Sequence, residues 1–540
     1  MQYTSLVSSL LKHATLTPKK PAIQQKAKGL NREISYAELA RLVSFYSQEI
    51  HSLGLKNQQK VVLCLENSPE YIALLYACWS LNLTVIPLHS QSKAREINHF
   101  IQLTDAQLFI AFENHPYLKE ACIQYLALPS DKAILFEPLN SLRPLHAQSL
   151  NINPEDIALI LFTSGTTGNP KGVMLSQQNL IANTLSIVEY LSLSANDKVY
   201  CVLPFTYSYG NSVLQTHIFS GACIQIGQSM VYPQKVAEDL QDKTITGFSG
   251  VPSTFQLLLQ KTSFAKHPPK LRYLTQAGGA MTIKTTEQLR NLLPSTAIFV
   301  MYGQTEASAR LSYLPPDKLV QKAGSIGLAI PGVSLAIVDE QGRHLAAHQT
   351  GELVAQGENI MQGYWQNPEA SRETLKDGWL HTGDLGYKDE DGYIFIKGRK
   401  KQMIKSGANR IHPEEIEEVI LACPVVAEVA VTGIEDELLG EVIAAFVVAK
   451  QTDNEFVNAE SLSADKSDRA TEEKQIRLTC RQLLAPYKQP KIIVWVEALP
   501  KTSSGKIRRH LLVPENQPLN TTNSLNSTID NNTNTNPRQP

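Results

Sequence analysis

The feature that most constrains this chain is a Gly- and Thr-rich segment that directly follows an apolar run. Residues 157–162 (IALILF) are apolar throughout and predict a buried strand. The next ten residues, 163–172 (TSGTTGNPKG), contain three glycines, four hydroxyl side chains and one lysine. Glycines let the backbone approach a ligand closely, and N–H, hydroxyl and lysine groups are suited to phosphate. The sequence therefore indicates a strand that ends in a phosphate-binding turn, with an ordinary surface turn as the alternative.

The length of the chain favours several domains, and its net charge bears on the partners to be expected. A chain of 540 residues is too long for one compact core, and its 43% hydrophobic content permits large interiors. The formal net charge of −1 gives no reason to expect nucleic acid or an anionic membrane surface as a partner.

The glycine-rich turn at residues 163–172 does not have the GxxxxGK[ST] spacing, so the mechanism of ordinary P-loop NTPases is not implied.

Cysteine and histidine usage narrows the chemistry further. The seven cysteines include no CxxC pair, which argues against a zinc ribbon or disulfide framework and fits a reducing compartment. The thirteen histidines form no HExxH motif, which removes the common metallohydrolase interpretation. No apolar run has the length of a transmembrane segment. We therefore expect a cytoplasmic protein.

The pattern of apolar runs changes twice along the chain. Residues 33–110 alternate helical patterns with short apolar runs, which predicts α/β layers with a largely parallel sheet. After Gly332, short strands separated by Gly and Asp turns predict a β-rich lobe. The charged residues 398–402 (GRKKQ) interrupt this pattern, and a mixture of helix and strand follows.

The C-terminal part contains two polar segments among predicted elements. A helix is expected over Pro413–Leu421, with proline at an allowed first-turn position. Residues 451–475 are polar and lack periodicity, which predicts an exposed loop. Residues 514–540 are rich in Asn, Thr, Ser and Pro and cannot bury enough apolar area to order themselves.

Five further segments combine glycine with polar or charged side chains. They are, in chain order, residues 276–280 (QAGGA), 302–306 (YGQTE), 381–386 (HTGDLG), 398–399 (GR) and 499–508 (LPKTSSGKIR). Each segment alone has a plain structural explanation, since an Asp in a Gly-flanked turn usually closes that turn. Taken without any family resemblance, the pattern of the chain indicates only a multi-domain α/β protein.

These six segments resemble, in order and spacing, the motifs of the adenylate-forming enzymes: acyl-CoA synthetases, luciferases and peptide-synthetase adenylation domains. The resemblance covers about residues 30–513. It implies an α/β fold in which a large N-terminal domain of sheet layers with a β-rich lobe is joined by a hinge to a small α+β domain. The expected boundaries are an N-terminal AMP-binding domain over 1–398, a hinge over 399–402, a C-terminal domain over 403–513 and a disordered tail over 514–540.

The resemblance also assigns nucleotide-binding roles. The expected nucleotide contacts are Thr163, Ser164, Gly165, Thr166, Thr167, Gly168, Lys171, Gly279, Ala280, Tyr302, Gly303, Asp384 and Arg399. Tyr302 would stack on adenine, Asp384 would accept hydrogen bonds from the ribose hydroxyls, and Arg399 would be a second ribose contact. Thr305 would bind the α-phosphate. Glu306 would hold Mg²⁺, which takes oxygen ligands beside ATP phosphates.

Further residues are assigned to the two half-reactions of the family. A carboxylate attacks the α-phosphorus of ATP to give an acyl-adenylate and pyrophosphate, and a thiol then attacks the mixed anhydride. Lys506 would stabilise the charge of the first step. Lys401 would be the hinge about which the C-terminal domain rotates, and Gly407 would lie beside the incoming thiol arm. The implied co-substrates are ATP with Mg²⁺, and coenzyme A or the phosphopantetheine of a carrier protein.

The substrate pocket is less well defined. Residues 203–210 (LPFTYSYG) resemble the family's acyl-pocket segment, with Tyr207 where many acyl-CoA synthetases have histidine, and Gly278 is a further pocket residue. Amino-acid-activating members carry an aspartate where this chain has Ser208. An unpaired buried ammonium group is strongly unfavourable. The sequence therefore disfavours an α-amino acid and favours a fatty or aryl carboxylate.

Three functions stay open on the sequence. The first is an acyl-CoA ligase that releases a free thioester. The second is a stand-alone ligase that loads a carrier protein. The third is a non-catalytic nucleotide-binding relative, against which the presence of Lys506 and Glu306 argues. Pyrophosphate exchange separates the third function from the others, and free coenzyme A tested beside carrier proteins separates the first two.

Overall fold

The computed structural model describes most of the chain. The described residues are 5–27, 30–119, 123–129, 152–163, 170–406, 409–436, 440–450, 466–484, 486–502 and 505–514. The predicted disordered tail lies, apart from Pro514, outside them. The chain divides between Gln402 and Met403 into two compact units. Over the described ranges, no helix combines the length and apolar character needed to span a bilayer.

The first unit alternates helices and strands over most of its length. Its helices are α1 (Leu6–Leu16), α2 (Tyr36–Ser52), α3 (Pro69–Ser80), α4 (Ala94–Thr104), α5 (Gln177–Tyr190), α6 (Ser208–Phe219), α7 (Pro233–Asp239), α8 (Pro252–Lys261), α9 (Ile283–Leu292) and α10 (Pro368–Thr374). Its strands are β1 (Pro21–Ala27), β2 (Leu30–Ser35), β3 (Lys60–Cys64), β4 (Thr84–Leu88), β5 (Leu108–Phe112), β6 (Gln124–Leu128), β7 (Ile157–Thr163), β8 (Lys171–Ser176), β9 (Lys198–Cys201), β10 (Cys223–Ile226), β11 (Gly247–Gly250), β12 (Tyr273–Gln276), β13 (Ala297–Tyr302), β14 (Ser312–Leu314), β15 (Leu328–Ala329), β16 (Val333–Val338), β17 (Gly351–Gly357), β18 (Gly363–Tyr364), β19 (Leu375–Lys376), β20 (Trp379–Lys388) and β21 (Ile394–Arg399).

Two large sheets form the α/β part of this unit. Their strand orders over the described residues are β15-β14-β13-β12-β11-β9-β10-β1-β2 and β18-β8-β7-β4-β3-β5-β6. The inner strands run parallel, as the alternating sequence pattern predicts. Strands β13 and β7 each have one antiparallel neighbour, β14 and β8 respectively. Two of the predicted nucleotide motifs, residues 163–172 and 302–306, begin at the ends of these two strands.

Helix α3 joins the two sheets through the core. It is buried along almost its whole length, because most of its side chains are apolar and its charged residue Glu70 is paired with Arg32. The Trp79 indole N–H donates to the carbonyl of Ala158 in β7 at 3.0 Å. The Tyr71 hydroxyl donates to the carbonyl of Phe205, after β9, at 3.2 Å. The helix therefore fixes the strand before the phosphate turn relative to the segment that precedes α6.

A third sheet forms the predicted β-rich lobe. Its order over the described residues is β16-β17-β20-β19, with β21 also paired to β20, and its strands run antiparallel. The pairing of β20 with β21 places Asp384 opposite Arg399. Two segments that are separate in the sequence thus supply neighbouring side chains.

The second unit is a small α+β fold. It contains α11 (Pro413–Leu421), α12 (Lys466–Leu483), β22 (Ile404–Ser406), β23 (Asn409–Ile411), β24 (Val426–Asp436), β25 (Gly440–Ala449) and β26 (Ile492–Trp495). Its described strands are ordered β23-β22-β25-β24, with β26 parallel to β25. Ile416 and Ile420 of α11 pack with Val431 and Val447 of the sheet. The α/β class, the β-rich lobe and the small α+β unit that the sequence predicts are confirmed.

The prediction of a loop over residues 451–475 is wrong for its second half. Residues 466–475 form the first part of α12, while 451–465 lie outside the described residues. The buried anchors Ile476, Cys480 and Leu484 come later, at four-residue spacing, and pack in the core of this unit. Packing of these anchors stabilises helical backbone that extends into the polar segment, because helix propagation is easier than nucleation. Residues 466–475 by themselves show no helical periodicity of apolar side chains.

Candidate active site

Strands β7 and β8 form the base of the predicted phosphate turn. Their antiparallel pairing places Thr163 opposite Lys171, and the Thr163 hydroxyl donates to the Lys171 carbonyl at 3.4 Å. The predicted phosphate contacts that lie outside the described residues are Ser164, Gly165, Thr166, Thr167 and Gly168. The hairpin therefore fixes both ends of the turn.

Lys171 and Glu306 are connected through Tyr364. The Lys171 ammonium lies 4.7 Å from the centre of the Tyr364 ring, and the Tyr364 hydroxyl donates to Glu306 Oε1 at 2.9 Å. Burial and the neighbouring Glu306 charge raise the pKa of Tyr364, so its phenol keeps the proton that it donates. Sequence reasoning missed Tyr364. The sequence around it (GYW) has no chemical pattern that would mark it, and only the pairing of β18 with β8 brings it here.

The Glu306 carboxylate is suited to bind a magnesium ion that is held together with a nucleotide. Among the described residues, no three His, Cys, Asp or Glu side chains gather into a metal site. A Mg²⁺ ion on ATP usually takes one or two protein carboxylates and completes its shell with phosphate oxygens and water. Within the described part of the chain, Glu306 Oε1 is engaged by Tyr364, while Oε2 accepts no hydrogen bond. This carboxylate can therefore serve as such a ligand.

Tyr302, Asp384 and Arg399 form a second cluster. The Tyr302 hydroxyl donates to Asp384 Oδ2, and Arg399 Nε lies 2.9 Å from Asp384 Oδ1. Burial, together with the Asp384 charge, raises the pKa of Tyr302 and keeps it neutral. Asp384 also raises the pKa of Arg399. The cluster is an ionised carboxylate between two donors, and its remaining lone pairs can accept hydrogen bonds from a diol.

The segment from Tyr302 to Arg310 folds back tightly on itself. A Cβ atom at Gly303 would lie 2.0 Å from the carbonyl oxygen of Ala309, so only glycine fits there. Ala309 itself has φ 138°, a strained value for a residue with a side chain. The Thr305 hydroxyl lies 3.3 Å from that of Ser208 at the start of α6. The predicted α-phosphate and acid-pocket segments are therefore neighbours.

The loop after β12 contains the predicted residues Gly278, Gly279 and Ala280. Gly278 has φ +86°, which favours glycine, and the Gln276 amide donates to the Gly279 carbonyl at 2.7 Å. Gly278, Gly279 and Ala280 are exposed. The Tyr209 hydroxyl donates to the carbonyl of Thr275 at 3.0 Å, which ties α6 to β12. Tyr207 lies at the N-cap position of α6.

The remaining predicted residues lie at or beyond the division between the units. Lys401 is in the short 3₁₀ helix Lys400–Gln402, at the end of the first unit. Lys506 is exposed in a turn of the second unit, where its N–H donates to Thr502 Oγ1 at 3.1 Å. Gly407 lies outside the described residues. The described ones among the predicted nucleotide residues thus belong to the first unit, and Lys506 belongs to the second.

Fold and clusters together define a nucleotide-binding enzyme of the adenylate-forming class. The sequence matches the AMP-binding enzyme family over residues 10–365 and the AMP-binding enzyme C-terminal domain over residues 415–506. The chain belongs to the AMP-binding enzyme family. It is an AMP-forming acid–thiol ligase.

Relatives named as CoA ligases match nearly the whole chain. A 2-succinylbenzoate–CoA ligase of Bacillus licheniformis is 29% identical over 93% of this chain and 98% of its own length. An indoleacetate–CoA ligase of Aromatoleum aromaticum is 30% identical over 92% of this chain and 95% of its own length. The ATP-bound structure of MatB from Rhodopseudomonas palustris superposes with a TM-score of 0.81 at 26% identity, over 94% of this chain and 98% of that chain.

Proposed function

We propose that this protein activates an aromatic carboxylic acid as its acyl-adenylate and transfers the acyl group to coenzyme A. The observation that carries the proposal is the cluster of Tyr302, Asp384 and Arg399, which offers one charged acceptor to a ribose. It lies on the same unit as Thr163, Lys171 and Glu306, residues suited to a triphosphate and its cation.

The first step brings a carboxylate close to the phosphates of ATP. Both groups are anions, so the step needs positive charge and oriented hydrogen-bond donors. Lys171 and Thr163, at the base of the turn, hold the phosphates, and Thr305 donates to the α-phosphate. Glu306, oriented by Tyr364, would hold Mg²⁺. The ion would neutralise phosphate charge and align the α-phosphorus. Lys506 adds a mobile positive charge on the second unit.

The second step needs the thiol to reach the mixed anhydride. We assign the backbone change between the steps to the hinge residues 399–402, in particular Lys401, and the approach of the thiol arm to Gly407. The division of the chain into two compact units between Gln402 and Met403 falls at the end of this segment, which supports the assignment. The domains would then be 1–398 and 403–513.

An aromatic acid is favoured over an amino acid or a fatty acid. The relatives from Bacillus licheniformis and Aromatoleum aromaticum are named for aryl acids. Ser208, the position where amino-acid-activating members carry aspartate, contacts Thr305 with a neutral hydroxyl and offers no negative charge to pair with an ammonium group.

The test is AMP and thioester formation by the full chain with Mg-ATP, measured by mass spectrometry. The acids would be arylacetates, benzoates and saturated acids of several lengths, each with free coenzyme A or a panel of phosphopantetheinylated carrier proteins. Aryl-CoA formation at the highest kcat/KM is the expected result. Preferred turnover of saturated acids would overturn the aryl assignment. Acylation of a carrier protein but not of coenzyme A would overturn the acceptor.

A further inference from the structure

The strand that carries Asp384 contains a bulge. Residues 382–384 of β20 lie opposite the single residue Leu353 of β17. Gly383, in the middle of the bulge, has φ +75°. A bulge takes its extra residues out of the regular ladder and redirects a side chain, and the N–H groups of those residues then need other acceptors. The direction of the Asp384 side chain therefore depends on the groups that satisfy the bulge.

Two side chains satisfy the backbone of this bulge. The Thr382 hydroxyl donates to the Leu353 carbonyl at 2.7 Å, and the same oxygen accepts from the Asp384 N–H at 3.1 Å. Glu352 Oε1 accepts from the Gly383 N–H at 3.2 Å. Glu352 and Thr382 together therefore hold the backbone on both sides of Gly383, and with it the start of the Asp384 side chain.

The second oxygen of Glu352 holds the other half of the ribose cluster. Glu352 Oε2 accepts from the Lys400 ammonium at 3.1 Å, and Lys400 directly follows Arg399, the partner of Asp384. The same oxygen lies 3.3 Å from His381 Nδ1. Burial opposes the ionisation of Glu352, but hydrogen bonds from His381 and Lys400 lower its pKa, so its carboxyl is charged. One carboxylate thus contacts a residue next to each member of the Asp384–Arg399 pair.

We propose that Glu352 is a positioning residue for the ribose, which holds Asp384 and Arg399 in the arrangement that accepts the ribose hydroxyls and does not itself touch the nucleotide. The inference rests on the proposed function, in which Asp384 binds the ribose. A binding side chain is only as precisely placed as the groups that hold it. Loss of Glu352 should therefore weaken the contact with the ribose hydroxyls and leave the phosphate contacts unchanged.

The test compares ATP with 2′,3′-dideoxy-ATP, which differs from ATP only in lacking both ribose hydroxyls. Isothermal titration at one Mg²⁺ concentration measures the Kd of each nucleotide for the full chain as wild type, Glu352→Ala, Glu352→Gln and Lys400→Met. Glu417→Gln is the matched control in the second unit, because Glu417 also accepts a backbone N–H, that of Val431 at 2.7 Å, and pairs with a cation, Arg509, at 2.7 Å. Melting curves without nucleotide record the stability of each variant.

Wild type is expected to bind ATP about tenfold or more tightly than the dideoxy nucleotide, the size of a charge-assisted hydrogen bond. Glu352→Ala should reduce that preference to about threefold or less through weaker ATP binding, while the Kd of the dideoxy nucleotide stays within about twofold. Glu352→Gln keeps an acceptor for the Gly383 N–H and should keep part of the preference. Lys400→Met loses only the contact next to Arg399 and should lose less. Glu417→Gln should keep the full preference, even if its melting temperature falls.

Two results would overturn the inference alone. One is an undiminished preference for ATP in the Glu352 variants. The other is an equal loss of affinity for both nucleotides, which would show a structural role only. If Glu352→Ala does not fold, the preference of Glu352→Gln decides. A wild type that binds neither nucleotide, or binds both equally, would instead overturn the ribose role of Asp384 in the proposed function, and this inference with it.

Discussion

Arg399 lies opposite Asp384 on neighbouring antiparallel strands, with its Nε 2.9 Å from Asp384 Oδ1. The Asp384 side chain is 5% exposed, whereas that of Arg399 is 46% exposed. The carboxylate is thus held at the bottom of a small polar site, while the guanidinium extends to its surface. Because of this difference, we expect the loss of Asp384 to weaken nucleotide binding more than the loss of Arg399.

Asp384→Asn should weaken ATP binding by roughly 1.5–3 kcal/mol, because it replaces a charged acceptor for the ribose with a neutral one. Isothermal titration with ATP measures the change. Asp389→Asn is the matched control, since it removes a lobe carboxylate paired with Lys322 at 2.7 Å. An unchanged ATP affinity in a folded Asp384→Asn protein would exclude Asp384 from the site.

Tyr364→Phe should raise the Mg²⁺ concentration needed for half-maximal pyrophosphate exchange, because Glu306 loses the hydroxyl that orients it. The lost hydrogen bond runs from a neutral hydroxyl to a carboxylate, and its loss predicts an increase of about tenfold in that Mg²⁺ concentration. Glu306→Gln should show a larger increase. Tyr393→Phe is a suitable control, since Tyr393 is a buried lobe tyrosine that stacks with Lys322 instead. Identical magnesium titrations for Tyr364→Phe and wild type would refute the role of Tyr364.

Lys506→Ala should reduce carboxylate activation by about 10²–10³-fold while ATP binding and the fold persist, since the lysine acts on charge that develops in the reaction. Thioester formation from supplied acyl-adenylate should be much less affected. Lys501→Ala is the control on the same turn, because Lys501 bridges to Ile507 and pairs with Glu428 at 2.5 Å. Equal loss of both half-reactions, or no loss, would contradict the assignment.

Lys401→Pro should separate the two half-reactions. Proline confines φ to about −65°, so a hinge that must change its dihedral angles would stay in one conformation. Adenylation should persist while transfer to the thiol is lost, as measured by pyrophosphate exchange and thioester yield on one preparation. Lys401→Ala keeps the backbone freedom and should retain both activities. If both activities survive in Lys401→Pro, the rotation axis lies elsewhere.

His217 should make the protein less stable as the pH falls from 6.5 towards 4. Burial lowers the pKa of His217 from 6.5 to about 4, and its ring is bonded to the Val213 carbonyl and the Tyr273 hydroxyl. Below pH 6.5 the unfolded chain binds a proton that the native protein does not yet accept, so the free energy of unfolding falls. The full contribution is on the order of 3 kcal/mol.

Urea unfolding between pH 5 and 7 tests this prediction, a window that leaves out most carboxylate titration at about pH 4. His217→Gln should be less stable at neutral pH but show a flatter dependence on pH. His51→Gln changes an exposed histidine of α2 and should keep the wild-type slope. A wild-type slope in His217→Gln would show that other groups cause the dependence.

Much of the fold could be predicted from local sequence because its elements carry their own signals. One of the short apolar runs within residues 33–110, TVIPL at 84–88, forms β4, and the helix predicted over Pro413–Leu421 has those ends. The start of α12 could not be predicted. Its polar turns are helical through the later anchors Ile476 and Cys480, which pack on another element.

The sequence by itself determined which chemistry is present, and the tertiary structure decided which groups meet. Asp384 and Glu306 stood out without coordinates because the Gly-containing motifs around them resemble those of the adenylate-forming enzymes. Tyr364 and Glu352 did not, because a tyrosine or a glutamate has the same local pattern whether it is solvated or buried. Strand pairing brings Tyr364 to Glu306, and the pairing of β17 with β20 brings Glu352 to Gly383. Those relationships are long-range in the chain, and only the folded structure creates them.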